Sequence, residues 1–394
     1  MSLVRFENVS KRFAADDVLV DVSFRVEPGE HIGLIGRNGT GKSTIFRLIT
    51  GETKPDAGYV DRMRKARFAF LAQLPEMAPQ VTIFDAVMHA FKDLIDLEHE
   101  LGALEARMAQ AALEVYSDKQ HAFDLRGGYT FRTRIDQVLH GLGFTKEDYG
   151  LPFKVLSGGQ RTRLMLALTL LEDADLLLLD EPENHLDLEA REWLEGYLAK
   201  TQAGVLVISH DRRTLNAVGQ RILELERGSI REYTGNYDDY CAARELVREQ
   251  QQRAFERQQE IIRKEQVFID RFRYKATKAK QVQSRIKRLE KMEKVDAPDA
   301  EKATAGFKLG EVVRTGQTVL TAERLNMRYG GLQLYAELSF QVFRGERLGI
   351  IGPNGAGKST LLRQLAGVLP EATGQVGLGN KVKMGYYDQH HEDL

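Results

Sequence analysis

The stretch HIGLIGRNGTGKST, residues 31–44, decides the reading of this chain. HIGLIG is a short apolar run ending in glycine, which suits a buried strand. GRNGTGKST at 36–44 fits the pattern GxxxxGK[ST] from Gly36 to Ser43, and a helical stretch follows from Lys42 to Thr50. The glycines let successive backbone N–H groups point into one concavity. At a helix N-terminus such a concavity attracts phosphate oxygens. The pattern assigns Lys42 to the β- and γ-phosphates of a nucleotide and the Ser43 hydroxyl to Mg2+.

The loop occurs twice. GPNGAGKST at 352–360 repeats it, with a second match from Gly352 to Ser359, and the flanks repeat too. VSFRVEPGEHIGLIGRNGTGKST (22–44) aligns with LSFQVFRGERLGIIGPNGAGKST (338–360) at one constant separation. That separation also relates Phe13 to Tyr329 and Gln73 to Gln389. A chance motif would not carry its flanks, so two homologous modules are expected, starting near residues 2 and 318.

Bulk properties narrow the class. The 394 residues suffice for two or three domains with real cores. A hydrophobic content of 42% and a charged content of 29% fit a soluble globular protein. No apolar run approaches the roughly 18–20 residues needed to span a bilayer. The opening MSLVRFENVS lacks a signal pattern, and the single cysteine, Cys241, excludes an intrachain disulfide or a cysteine metal site. These features point to a cytoplasmic protein. The net charge of −1 confines any nucleic-acid contact to a local basic patch.

Further motifs fall on the first module. DLLLLD (175–180) and GVLVISH (204–210) are continuous apolar runs of strand length, suited to a parallel sheet buried on both faces. LLLLDEPENHLD (176–187) ends a strand in Asp180, a candidate Mg2+ ligand. Glu181 follows it, placed to take a proton from an attacking water. His210, after the next strand, is a candidate γ-phosphate contact. LSGGQR (156–161) opens another helix with exposed N–H groups suited to phosphate. One nucleotide cannot use two such helix starts if they lie on different subdomains. The natural solution is a sandwich, in which this loop closes on nucleotide held by another module. Between Gln73 and Ser157 the residues Ile83, Val87, Phe91, Leu94, Leu101, Leu104 and Met108 recur at helical spacing, and DLRGGYTFRTRIDQVLHGLGF (124–144) is a second helical stretch after a Gly-Gly break.

Together, GRNGTGKST, Gln73, LSGGQ, LLLLDEPENHLD and SHD (209–211) resemble an ATP-binding cassette (ABC) ATPase. The resemblance covers residues 2–236 fully and about 318–394 in part. It implies an α/β P-loop NTPase fold: an ABC cassette with an inserted helical subdomain, an α-helical hairpin linker and a partial second cassette. The expected boundaries are 1–236 for the first cassette (insert about 83–155), 237–305 for the linker and 306–394 for the second cassette. The implied cofactors are ATP and Mg2+. The resemblance implies that Phe13 and Tyr329 stack on adenine. Phosphate would be bound by Gly36, Arg37, Asn38, Gly39, Thr40, Gly41, Lys42, Ser43 and Thr44, and in the second loop by Gly352, Asn354, Gly355, Gly357, Lys358, Ser359 and Thr360. Ser157, Gly158, Gly159 and Gln160 would reach nucleotide across the interface of paired cassettes. Ser43, Gln73, Asp180, Ser359 and Gln389 would surround Mg2+. Glu181, His210 and Gln73 would be catalytic.

Two cassettes on one chain, NHLD after the catalytic glutamate, and YTGNYDDY (233–240) leading into a charged linker resemble the ABC-F branch. That resemblance implies a cytosolic ATPase acting as an ATP-gated clamp on the ribosome, in translation or in protection against ribosome-targeting antibiotics. No stable membrane domain is expected. One departure is Glu183, where the family usually has threonine; it could shift the charge beside Glu181. The linker has its own physical case. Arg271, Arg273, Lys275, Lys278, Lys280, Arg285, Lys287 and Arg288 carry no acidic residue among them, and Phe272 and Tyr274 are interleaved. Such a tip suits contact with an RNA backbone, here rRNA or tRNA, with occasional base stacking. The alternatives are a solvated coiled coil, the ATPase subunit of an ABC transporter, a DNA-directed ABC ATPase and a non-enzymatic RNA-binding scaffold. The chain stops at Leu394, before second copies of Ser157, Asp180, Glu181 and His210 could appear. The expectation is a piece of a longer protein, weak in ATP turnover by itself unless two copies pair as a homodimer.

Overall fold

The computed structural model describes residues 2–13, 16–71, 78–107, 113–272, 278–290, 292, 316–329, 332–369 and 373–387. The chain divides into two compact units, 1–185 with 190–304, and 186–189 with 305–394.

The first unit opens with β1 (Val4–Phe13) and β2 (Asp16–Val26), which pair antiparallel. β3 (His31–Gly36) and α1 (Lys42–Thr50) follow, then β4 (Ala57–Arg62), which pairs with β1, and β5 (Phe68–Phe70). Helices α2 (Ile83–Ala90), α3 (Lys92–Arg107), α4 (Leu113–Leu125), α5 (Phe131–Gly141) and α6 (Gly158–Leu171) fill the stretch up to β6 (Leu176–Asp180). After α7 (Leu188–Leu198) come β7 (Gly204–Ile208), α8 (Arg212–Val218), β8 (Arg221–Glu226) and β9 (Ser229–Thr234).

Two sheets result, β2-β1-β4 and β5-β6-β7-β3-β8-β9. In the larger sheet every pairing is parallel except β8 with β9. Its inner strands are Leu, Val and Ile runs because both faces are covered. Leu176, Leu178, Leu206, Ile208 and Leu223 share one core with Val4, Phe6 and Val22 of the antiparallel sheet. Helix α1 enters the same core through Ile45, Phe46, Leu48 and Ile49. The helical stretch has a packing of its own, in which Phe91 meets Phe131 at 5.3 Å. The helical periodicity of this region is interrupted at Phe91, the C-cap of α2. Ile83, Val87, Phe91, Leu94 and Leu101 are buried there, Leu104 is half-buried, and Met108 lies outside the described residues.

From β9 the chain runs into α9 (Tyr237–Phe272), 36 residues long, and then α10 (Ala279–Glu290). At 1.5 Å per residue α9 reaches about 54 Å. Its root is bound to the sheet by Glu224 of β8. That buried carboxylate accepts from Tyr240 Oη at 2.7 Å, from Tyr233 Oη at 3.1 Å, and lies 3.1 Å from Arg244 Nε. Burial pushes the Tyr240 phenol far above its ordinary value, and the Glu224 carboxylate adds to the rise. Glu224 stands opposite Ile35 of β3 in register, so the helix root is one strand away from the phosphate-loop strand. Among the described residues no helix is long and apolar enough to cross a membrane.

The second unit contains β10 (Thr318–Tyr329), β11 (Leu332–Phe343), α11 (Lys358–Leu365) and β12 (Thr373–Leu378). Its sheet order β11-β10-β12 repeats β2-β1-β4 with the same antiparallel pairings. A small core of Ala322, Leu325 and Leu361 lies under it. The apolar run 347–352 differs from its counterpart. It aligns with β3, which predicts a strand, yet it is not one, and Leu348 and Ile351 are 55% and 90% exposed.

Candidate active site

Three neighbouring parallel strands bring the predicted chemistry to one sheet edge. Leu34 of β3 pairs with Ile208 of β7, and Ile208 pairs with Asp180 of β6. The loop after β3, the residues Asp180 and Glu181, and the pair Ser209–His210 therefore emerge side by side at the carboxyl ends of the strands. That is where open α/β sheets bind ligands. The edge borders a cavity of about 360 Å³ lined by Phe13, Val18, Asn38, Gly39, Gly41, Lys42, Ser43, Thr44, Asp180 and Glu181. Phe13 is 44% exposed, which leaves its ring open to stacking.

The loop's shape is set by its glycines. Gly41 caps α1 with φ 104°, and a Cβ there would lie 2.4 Å from Val18 Cγ1. Glycine is the one residue that meets both demands. Lys42, Ser43 and Thr44 at the start of α1 line the cavity, which places a helix N-terminus beside it, as phosphate binding requires.

Lys42 is buried, and its ammonium donates to the carbonyls of Gly36 at 2.8 Å and Arg37 at 3.1 Å. Burial pushes its pKa down, while the carboxylates of Glu181 and Asp180 pull it back up. The Ser43 hydroxyl donates to Asp180 Oδ2 at 2.9 Å. Burial pushes the Asp180 carboxyl up, against the Ser43 hydrogen bond, and the Glu181 charge adds to the rise. Ser43 and Asp180 thus place two hard oxygen donors at the phosphate loop. That set fits Mg2+, which is typically bound by one or two protein oxygens with phosphates and water completing its shell. The same Arg37 carbonyl also accepts from the Thr40 hydroxyl at 2.9 Å.

Glu181 has φ 47°, a left-handed conformation that costs about 1–3 kcal/mol in a non-glycine residue. Its N–H donates to Ile208 O at 2.8 Å, and its Oε2 accepts from Asn184 Nδ2 at 2.8 Å. His210 Nε2 stands 3.3 Å from Glu181 Oε1. The arrangement sets the imidazole against a carboxylate that lines the cavity, while His210 itself is not part of the lining.

Ser157 is exposed and caps α6 in a reciprocal pair. Its Oγ accepts from Gln160 N at 3.3 Å, and Gln160 Oε1 accepts from Ser157 N at 3.0 Å. Gly158 is also exposed, and none of the residues 157–160 lines the cavity. In the second unit Gly357 caps α11 with φ 88°, Lys358 Nζ donates to Gly352 O at 2.6 Å and Pro353 O at 2.7 Å, and Tyr329 is 50% exposed. Gly355 also has a left-handed backbone, and Asn354 and Ser359 are exposed. Among the described residues no carboxylate is hydrogen-bonded to Ser359. Gln73 and Gln389, expected near the metal, lie outside the described residues.

Of the basic linker residues, Arg273 and Lys275 lie outside the described residues. Lys287 and Arg288 are exposed on α10. Arg285 is engaged inside the helix pair, bonded to Glu265 at 2.6 Å with its guanidinium 4.0 Å from the Phe268 ring. Reading the linker as one uniform basic strip overlooks this packing role. Sequence reasoning also missed Asn184, which orients Glu181, and Ser209, which is buried behind His210. Both stood inside quoted motifs, but neither residue type signals a partner by itself.

Two family models, each described as ABC transporter, match the chain, one over residues 19–184 and 335–393 and the other over residues 223–307. The ATP-binding protein YdiF of Bacillus subtilis is 36% identical over 402 residues, covering 100% of this chain and 63% of that protein. The ATP-binding protein YheS of Escherichia coli K12 is 37% identical over 388 residues, covering 98% and 60%. ABC transporter F family member 2 of Arabidopsis thaliana is 34% identical over 400 residues, covering 98% and 59%. The chain spans about three fifths of the length of these curated relatives. Among solved structures, an ATP-binding subunit of an ABC transporter aligns with a TM-score of 0.46 at 22% identity, over 60% of this chain and 91% of that one.

Proposed function

The chain belongs to the ATP-binding-cassette family, and on that premise we propose that it is an ABC-F-type ATPase that acts as an ATP-gated clamp on the ribosome. The observation that carries the ATPase part is the convergence of Lys42, Ser43, Asp180 and Glu181 on one cavity, with His210 set 3.3 Å from Glu181. The ABC-F part is supported by relatives named as F family members and by the long helical linker with its basic tip.

In this reading Phe13 stacks on adenine and the loop N–H groups hold the phosphates. Lys42 leaves the carbonyls of Gly36 and Arg37 for the β- and γ-phosphates. Ser43 and Asp180 would hold Mg2+, which supplies charge neutralisation for phosphoryl transfer. Glu181 takes the proton of the attacking water, and His210 bears on the γ-phosphate. The exposed Ser157 loop closes on nucleotide held by another cassette. Lys358 and Ser359 serve the second phosphate loop, but among the described residues Ser359 lacks the carboxylate that Asp180 gives Ser43. Cassette closure moves the linker through the Glu224 anchor. Its exposed bases, Lys287 and Arg288 among them, meet rRNA or tRNA.

The test is sedimentation with ribosomes. Glu181→Gln in the complete protein, with ATP, should co-sediment with ribosomes, and binding should weaken with salt by a slope of roughly 0.7–0.9 per neutralised phosphate. Co-sedimentation with membranes and not with ribosomes would favour a transporter subunit and overturn the clamp.

A further inference from the structure

An acidic residue in DEPENHLD would be expected to face water. Glu183 is only 7% exposed. Its Oε1 accepts from the Ser209 hydroxyl at 2.5 Å and from the His210 backbone N–H at 3.2 Å. Its Oε2 is buried with no hydrogen-bond partner. A buried carboxylate left half-satisfied is costly to the fold. Ser209, itself 2% exposed, passes the contact on, because its Oγ also accepts from Asp211 N at 2.9 Å. Asp211 then caps α8 by accepting from Arg213 N at 2.9 Å and pairs with Arg191 at 3.1 Å. The main chain of residues 209–211 is thus fixed from one side by a single carboxylate. The imidazole that projects from the middle of it stands 3.3 Å from Glu181 Oε1.

We infer that Glu183 is a positioning residue. It holds the backbone of the 209–211 turn so that His210 stays registered against Glu181 and the γ-phosphate position. A carboxylate oxygen can accept the hydroxyl and the N–H at once, at the end of a side chain long enough to reach the next strand's end. Glu183 does not line the cavity, and its effect passes through His210. The inference rests on the proposed roles of Glu181 and His210 in ATP hydrolysis, but the contact itself is testable without them.

Two measurements decide it, the first on this chain and the second on the complete protein. The first is amide hydrogen exchange in peptides covering 206–212. Glu183→Leu should speed exchange at residues 209–211 about tenfold, while β3 and β6 stay protected. Glu183→Gln, which keeps an acceptor oxygen, should restore most of the protection. Ser209→Ala should give a smaller change of the same sign, and it serves as the probe if Glu183→Leu does not fold. The second is steady-state ATP turnover. Glu183→Leu should lower kcat about tenfold with little change in KM, and Glu183→Gln should recover most of it. In a His210→Ala background, Glu183→Leu should add nothing further. Unchanged exchange at 209–211 in both Glu183→Leu and Ser209→Ala would overturn the inference. So would a Glu183→Leu loss that adds in full to that of His210→Ala. Absence of ATP turnover in the complete wild-type protein would instead sink the proposed function, and the exchange result would still judge the positioning role.

Discussion

The segments His31–Gly36 and Arg347–Gly352 read almost alike, as HIGLIG and RLGIIG, yet one is the middle strand of a sheet and the other is not a strand. Ile32 is fully buried, while its counterpart Leu348 is 55% exposed. Both segments lead into a glycine-capped helix whose lysine folds back on the loop carbonyls. The loop geometry is therefore local, and the strand is not. β3 is flanked on both sides, by β7 and β8, and the run 347–352 has no such partners among the described residues. Apolarity qualifies a segment for a buried parallel strand, but neighbouring strands make it one. The same contrast governs chemistry. Ser43 has Asp180 beside it because β6 lies in the same sheet, whereas Ser359 has no carboxylate partner among the described residues.

The largest expected effect strikes the chemistry that the first segment alone carries. Glu181→Gln should lower ATP turnover by about 10²–10⁴ while leaving nucleotide affinity intact, as phosphate-release kinetics would register. Retained turnover would remove Glu181 as the base. Next is the strand itself. Ile32→Ala should destabilise the first unit by about 2–5 kcal/mol, and Leu348→Ala should change stability by no more than about 0.5 kcal/mol in denaturant titration. Equal losses would mean that 347–352 is buried after all. At the loops, Gly41→Ala should cost about 1–3 kcal/mol through positive φ and the clash with Val18. Gly357→Ala should cost less, because its nearest contact would be 3.2 Å away instead of 2.4 Å.

The smallest effect concerns Asp180, whose carboxyl is pushed up by burial. Folding disfavours its ionised form, so ionisation subtracts stability above the raised value and subtracts none well below the ordinary carboxylate range. Asp180→Asn should therefore raise the melting temperature slightly at neutral pH, by less than the Gly41→Ala loss. The gain should shrink as pH falls through that range. A gain that grows on acidification would contradict the sign. The same substitution should weaken Mg2+-dependent nucleotide binding.

Much of this was legible in the sequence because the signals were local. Glycine spacing announced both loops, the Leu and Val runs announced β6 and β7, and Ser157 announced the start of α6. Residues that act through distant partners were not legible. Glu183 sits in an acidic loop and reads as solvated until Ser209 and His210 are brought over it by β7. Glu224 looks like an ordinary charge in RILELE, yet its buried carboxylate gathers Tyr233, Tyr240 and Arg244 at the linker root. Arg285 counted as one of eight bases until its pairing with Glu265 appeared. In each case the deciding neighbour is at least nine residues away, so spacing carries no trace of it.

The most direct test of the difference between the two loops is a calorimetric titration with Mg-ATP of the wild-type chain, Lys42→Ala and Lys358→Ala. The Mg2+-dependent binding event should disappear in Lys42→Ala and persist in Lys358→Ala. Loss in Lys358→Ala with retention in Lys42→Ala would contradict that difference.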